Sequence, residues 1–204
     1  VTSTIPPPHR AVLSAERATI TVDGTVAMRN LDLTTRGDRV LLVGSTGPLV
    51  TAIAGARPRA DVSEAPPVTA TVTRGSLAVL ERDVARGAHR AVCGVALRDP
   101  PLPWSWTVRE YLHWAARLDG AKRKAARILV AGALSTLSLQ ALERTRLRAL
   151  STLERRVVVL AGAIVSQPAA VVVDDPFTGL DARETRLLLG ALHRGSHGRA
   201  AMVA

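Results

Sequence analysis

Lysine is nearly absent from this chain. Of its 27 basic residues only Lys122 and Lys124 are lysines, and the rest are arginines spread along all 204 residues. The net charge of +10 would ordinarily suggest nucleic acid or an acidic membrane surface as a partner. No basic arm is present, however, and aromatic residues are 2% of the chain, too few to build a stacking platform for single strands. Nucleic-acid binding is therefore not expected. Cys93 is the single cysteine, which excludes an internal disulfide framework and a cysteine-based metal site and fits a reducing compartment. Long apolar runs are missing too. Val157–Val165, with Gly162 inside it, falls well short of the roughly 20 residues that a membrane-spanning helix needs. The opening VTSTIPPPHR lacks the apolar region and cleavage pattern of a secretory signal, and its three prolines suggest a short extended tail over residues 1–14.

What is present is a substantial core composition. Hydrophobic residues make up 47% of the chain, and a chain of this length can bury about 70% of its unfolded surface. Residues 17–35, RATITVDGTVAMRNLDLTT, alternate apolar and polar positions around Asp23-Gly24, which predicts an edge hairpin. Arg36-Gly37-Asp38 predicts a turn. Val40–Val43 is a short apolar strand, Gly44 to Gly47 a glycine loop, and Leu49–Ala54 a helix. Residues 57–74, rich in Pro, Ala and Thr, predict a surface insertion. Gly75–Val79 and Ala91–Leu97 predict strands. Residues 107–149 lack proline and space Val108, Leu112, Ala115 and Ala116 helically, which predicts a helical lobe of about three helices. Residues 155–165 predict a helix, Ala170–Val173 a buried strand, Ala182–His193 a helix and Ala200–Val203 a last strand. This alternation of strands and helices argues for an α/β fold with a mostly parallel sheet covered on both faces. No internal repeat is evident.

Two stretches carry chemistry. LLVGSTGPLVTAIAG at 41–55 has the outline of a phosphate-binding loop, G-x-x-x-x-G-K-[ST], in which backbone amides cradle phosphates, a lysine reaches the outer phosphates and a hydroxyl helps hold Mg²⁺. No lysine follows Gly47. The second stretch is LSTLERRVVVLAGAIVSQPAAVVVDDPFTGLD at 150–181. It resembles the nucleotide-binding subunits of ATP-binding cassette (ABC) transporters, which place a signature LSGGQ, a helix, four apolar residues, Asp-Glu-Pro and a Gly-Leu-Asp loop in that order. VVVDDPFTGLD resembles the Walker B strand and D-loop, LSTLE stands at the signature, and RDPPLPWSWTVREYL at 98–112 looks like the Q-loop entering the helical lobe at about 107–150. The resemblance covers about residues 15–204 and implies a P-loop NTPase-type fold with an antiparallel N-terminal subdomain. It further implies ATP and Mg²⁺ as ligands, a membrane-spanning transporter subunit and a second cassette as partners, and a cytoplasmic position at the inner face of the membrane.

Several of the family's motif residues are missing here. In one alignment of the loop, Pro48 replaces the five residues that carry the glycine, the lysine and the Mg²⁺ hydroxyl. An ungapped alignment instead puts Leu49 and Val50 at the glycine and lysine positions and Thr51 at the hydroxyl. The lysine is lost either way. Phosphate could still rest on the amides of Gly44, Ser45, Thr46 and Gly47 at a helix N-terminus, although Pro48 offers no N–H. By resemblance Asp174 is the Mg²⁺-supporting aspartate and Asp175 stands where a water-polarising glutamate belongs, shorter by one methylene; the alternative for the pair is capping of the Pro176–Leu180 turn. Arg98 replaces the phosphate-sensing glutamine. In LSTLE only Ser151 keeps a role, as helix cap and phosphate donor, while Asp181 lies on the face assigned to the second cassette. Thr21 or Val22 stands where an aromatic residue would stack on adenine. The sequence stops at AAMVA, where the last strand would deliver a switch histidine that His193 and His197 do not replace, so the natural domain is expected to continue. Weak nucleotide binding and negligible turnover are the expectation.

Overall fold

A computed structural model describes residues 11–35, 39–57 and 67–204. Residues 1–10 of the expected tail and the whole Arg36–Asp38 turn lie outside these residues; the tail expected to reach residue 14 ends earlier, since Val12 is buried and Leu13 begins the first strand. The chain divides into two compact units, one made of residues 1–100, 169–174 and 198–204, the other of 101–168 and 175–197.

The first unit holds two sheets. β1 (Leu13–Val22) and β2 (Thr25–Thr34) form the expected hairpin, with Asp23 and Gly24 both at positive φ in the turn. On the other side β1 pairs antiparallel with β5 (Val68–Val79), which also carries β4 (Ala56–Arg57) and β6 (Arg82–Asp83). This corrects the insertion predicted for 57–74: residues 68–74 are the first half of a twelve-residue strand. Proline and threonine concealed it, yet its threonines suit a pleated surface, and the hydroxyls of Thr21 and Thr71 meet across the ladder at 2.9 Å. Gly75 sits opposite a register shift in β1. Its φ is +70°, and a Cβ there would lie 2.3 Å from the Glu16 carbonyl oxygen, so only glycine fits.

The second sheet of this unit is parallel, in the order β3 (Arg39–Leu41), β9 (Ala200–Val203), β8 (Ala170–Val173) and β7 (Cys93–Ala96). Every residue of β8 is buried, as expected for an all-apolar central strand. After β3 comes α1 (Gly47–Ala54), whose Leu49, Val50 and Ile53 share one apolar core with Leu13 and Ile20 of β1, Leu77 of β5 and Met202 of β9. Buried His89 fastens the far end of this helix, its Nε2 lying 2.7 Å from the Ile53 carbonyl oxygen.

The second unit is helical. It comprises α2 (Val108–Leu118), α3 (Arg123–Thr136), α4 (Thr152–Ile164) and α5 (Ala182–Gly195), with short 3₁₀ turns at Gln140–Leu142 and Leu147–Ala149. Two α-helices and two turns thus stand where about three helices were expected before residue 150. Three of the four helices begin with a capping box: Thr107 with Glu110, Ser151 with Glu154, and Asp181 with Glu184. The spacing S/T/D-x-x-E lets each cap side chain accept a backbone N–H while the glutamate accepts in return.

Candidate functional site

In the first unit the parallel register brings the loop residues to one edge. Leu42 N–H donates to Val203, Asp174 N–H to Ala96 and Ala204 N–H to Val173, so the loop after β3, Asp174 after β8 and Arg98 after β7 all leave the carboxyl ends of their strands. This is the edge at which open α/β sheets bind ligands.

The loop itself is tight. Gly44 has φ +120°, and the Thr46 N–H donates to the Gly44 carbonyl at 2.9 Å. With Pro48 lacking an N–H, residues 44–48 can offer an anion at most the amides of Gly44, Ser45 and Gly47. Thr51 is 3% exposed and its hydroxyl donates to the Gly47 carbonyl at 2.8 Å, which is the helical back-bond that a mid-helix threonine adopts. Asp174 is equally buried at 3%. A carboxylate there requires a partner, and the Arg98 N–H donates to its Oδ2 at 3.2 Å. The Arg98 guanidinium turns to Asp99, Nε to Oδ2 at 2.8 Å. These residues fit a phosphate held by a few amides. They fit Mg²⁺ less well, since the hydroxyl is committed to its helix and one buried carboxylate remains.

In the second unit each remaining candidate has a local partner. The Ser151 hydroxyl accepts from Glu154 N–H at 3.2 Å, and Ser151 N–H donates to Glu154 Oε2 at 2.8 Å. Asp181 Oδ1 accepts from the N–H groups of Arg183 at 2.7 Å and Glu184 at 2.8 Å. Asp175, at φ +37°, accepts on Oδ1 from the Thr178 hydroxyl at 2.8 Å. Sequence reasoning missed Arg156. Its guanidinium donates from Nη1 to the Asp175 carbonyl at 3.1 Å and from Nη2 to the Thr178 carbonyl at 3.3 Å, holding the turn after the Walker B-like strand by its backbone. No motif signals this, because carbonyl recognition by an arginine follows from geometry alone.

With this geometry in place, the comparisons agree on the class of protein. Over 96% of its length the chain superposes on CbiO1 of Clostridium perfringens, part of the ABC transporter complex CbiONQ, with a TM-score of 0.72 and 20% identity over 78% of that chain. It also superposes on an inward-facing metal-chelate-type ABC transporter with a TM-score of 0.69. The fold is that of ABC-type ATPase subunits. In sequence it is 30% identical over 178 residues to an ABC transporter ATP-binding protein of Methanopyrus kandleri, matching 82% of this chain and 60% of that one. It is 36% identical over 104 residues to the Nod factor export ATP-binding protein I of Burkholderia orbicola, matching 51% of this chain and 34% of that one. No protein-family model matches. The chain is therefore similar to ABC transporter ATP-binding proteins in sequence and has the fold of ABC-type ATPase subunits, and it spans less than two thirds of the length of those curated relatives. No described helix is long and apolar enough to cross a membrane.

Proposed function

We propose that the chain is a cassette subunit with a degenerate nucleotide site, working at the cytoplasmic face of a membrane-spanning subunit and paired with a second cassette. The observation that carries the degeneracy is at the loop: no lysine follows Gly47, the Thr51 hydroxyl is spent on Gly47, and the Asp174 carboxylate accepts from Arg98 N–H. Loss of the lysine's charge-assisted bond alone is worth about 1.5–3 kcal/mol, roughly 10- to 150-fold in affinity. ATP and Mg²⁺ are the ligands the family implies, and binding here is expected to be weak. Asp175 is one methylene, about 1.5 Å, shorter than glutamate, and misplacement of about 1 Å costs on the order of 100-fold in rate. Turnover by the isolated chain is therefore expected to be negligible. A steady phosphate-release rate abolished by Asp174→Ala would overturn this.

The partnership follows from Ser151. Its hydroxyl accepts a helix amide but still has a proton to donate, and it stands at the positive end of α4. Offered to ATP on an intact second cassette, it completes that site. Mixing this chain with an intact cassette from the same operon should raise ATP turnover, and Ser151→Arg should remove the increase while the complex persists. A second reading, a structural or regulatory protein that uses the fold without nucleotide, is favoured by the capping boxes, since Ser151 and Asp181 already serve as helix caps. The two readings separate on nucleotide binding measured alone and with the second cassette.

A further inference from the structure

The groove between α2 and α3 lies wholly within the helical unit; one wall, Trp106 to Glu110, is the end of the Q-loop-like segment, and the rest belongs to none of the motifs above. It encloses about 950 Å³, at the upper end of small-ligand sites. α2 presents Arg109, Glu110, His113, Trp114 and Arg117 to it, a three-and-four spacing that puts them on one face. Arg109 to Arg117 spans eight residues, about 12 Å. α3 answers with Arg123, Arg127, Val130 and Ala131. Trp106 closes one side, edge-on to Trp114 with ring centroids 6.1 Å apart. Two of the three tryptophans of an aromatic-poor chain therefore meet in one groove.

Its charges are unevenly satisfied. Both carboxylates are occupied, Glu110 by the N–H and hydroxyl of Thr107 and Glu143 by Arg109. Arg117, Arg123 and Arg127 have no ion-pair partner among the described residues. Arg123 and Arg127 stand four apart on one helix face, where like charges repel, and an anion between them relieves that repulsion. Trp114 is 45% exposed, an unusual cost for an indole whose faces are suited to stacking.

We propose that this groove binds a small planar aromatic anion, with its ring against Trp114 and its carboxylate or phosphate on Arg123 and Arg127. Guanidinium forks match both anions, and the indole supplies the selectivity for a ring. The inference does not depend on the state of the loop at Gly44–Gly47. Calorimetric titration of the full chain tests it with four probes: 2-naphthoate, AMP, neutral 2-naphthol, and a glutamate-rich amphipathic 15-residue peptide. We expect 2-naphthoate or AMP to bind, the stronger of the two identifying a carboxylate or a nucleotide source, and 2-naphthol to bind at least about 10-fold more weakly. Arg123→Glu with Arg127→Glu should weaken the anion at least about 10-fold. Trp114→Ala should weaken it roughly 5- to 100-fold, as loss of a stacking face does. Arg123 and Arg127 are exposed, so the double variant's melting temperature should hold, whereas Trp114→Ala also loses ring contacts with Trp106 and Tyr111 and should lower it by a few degrees. Equal binding of 2-naphthol, anion binding that survives the double variant, binding of the peptide alone, or no binding at millimolar probe would each overturn the proposal.

Discussion

Ser151 is assigned two roles, helix cap and donor to a partner's nucleotide, and two substitutions separate them. Ser151→Ala deletes the acceptor that holds Glu154 N–H at 3.2 Å but leaves the reciprocal bond from Ser151 N–H to Glu154 Oε2 at 2.8 Å. Half of the capping box survives, so the loss should fall near the middle of the range for caps, about 1 kcal/mol. For a chain of this size that lowers the melting temperature by about 2–4 °C. Ser151→Asp keeps an acceptor of equal capping quality and adds a negative charge at the helix N-terminus, worth about 0.3–1 kcal/mol, partly offset by the nearby Glu154 carboxylate. Its melting temperature should stay within about 2 °C of the parent. Against a partner's triphosphate the same carboxylate is repulsive, so Ser151→Asp should abolish the partner's stimulated turnover, while Ser151→Ala reduces it. The assay pairs thermal unfolding of the isolated chain with phosphate release by the mixed cassettes. If Ser151→Asp leaves the stimulated rate intact in a complex that still forms, the donated hydroxyl is wrong. If Ser151→Ala leaves the melting temperature unchanged, so is the cap.

Gly75→Ala should destabilise the first unit by more than about 1–2 kcal/mol, the cost of a left-handed backbone, because its Cβ would also press on the Glu16 carbonyl oxygen at 2.3 Å; urea unfolding measures it, and a neutral result would refute the required glycine. In the ABC family the surface matching PPLPWSWTVREYL receives a coupling helix of the membrane subunit, and Trp104 there is 47% exposed with the Arg155 guanidinium 5.0 Å from its ring centroid. By that resemblance Trp104→Ala should weaken co-purification with a membrane subunit and barely move the melting temperature; a large fall in melting temperature would assign the ring to packing alone. Burial pushes the Cys93 thiol up to about 12, so at pH 8 the native chain should react with iodoacetamide far more slowly than the urea-unfolded chain. Because the folded pKa is raised, this thiol's contribution to stability is complete below the unfolded value of about 8.5 and declines as pH rises from there toward 12. Unfolding midpoints compared between pH 7 and pH 10 with Cys93→Ala as the reference check the sign.

Elements whose pattern is set by burial were legible in the sequence. Val171 and Val172 read as a covered parallel strand because nothing polar interrupts them, and Asp23-Gly24 read as a hairpin because its turn needs positive φ at both residues. β5 was not legible, since Val68–Arg74 draws its stability from pairing with β1 and not from its own composition. The candidate site divides the same way. That Asp174 ends a buried strand follows from the sequence, as does the missing lysine. Where the Thr51 hydroxyl points depends on a side-chain rotamer, and what Asp175 does depends on a backbone angle of +37°; neither leaves a trace in residue spacing. Arg156 was invisible for a further reason: its acceptors are carbonyls 19 and 22 residues away, and every residue type carries one.

The grip of Arg156 makes a lever of α4. Ser151 caps that helix and Arg156 lies barely more than a turn beyond, so one rigid rod begins at the hydroxyl proposed to meet a neighbour and reaches the carbonyls of Asp175 and Thr178. A pull on the start of the rod has little slack to absorb it, because both guanidinium arms are engaged. In the proposed pairing, displacement there is delivered to the backbone at Asp175, a residue already held at a strained angle, which would give such a cassette a mechanical means of registering what its neighbour binds.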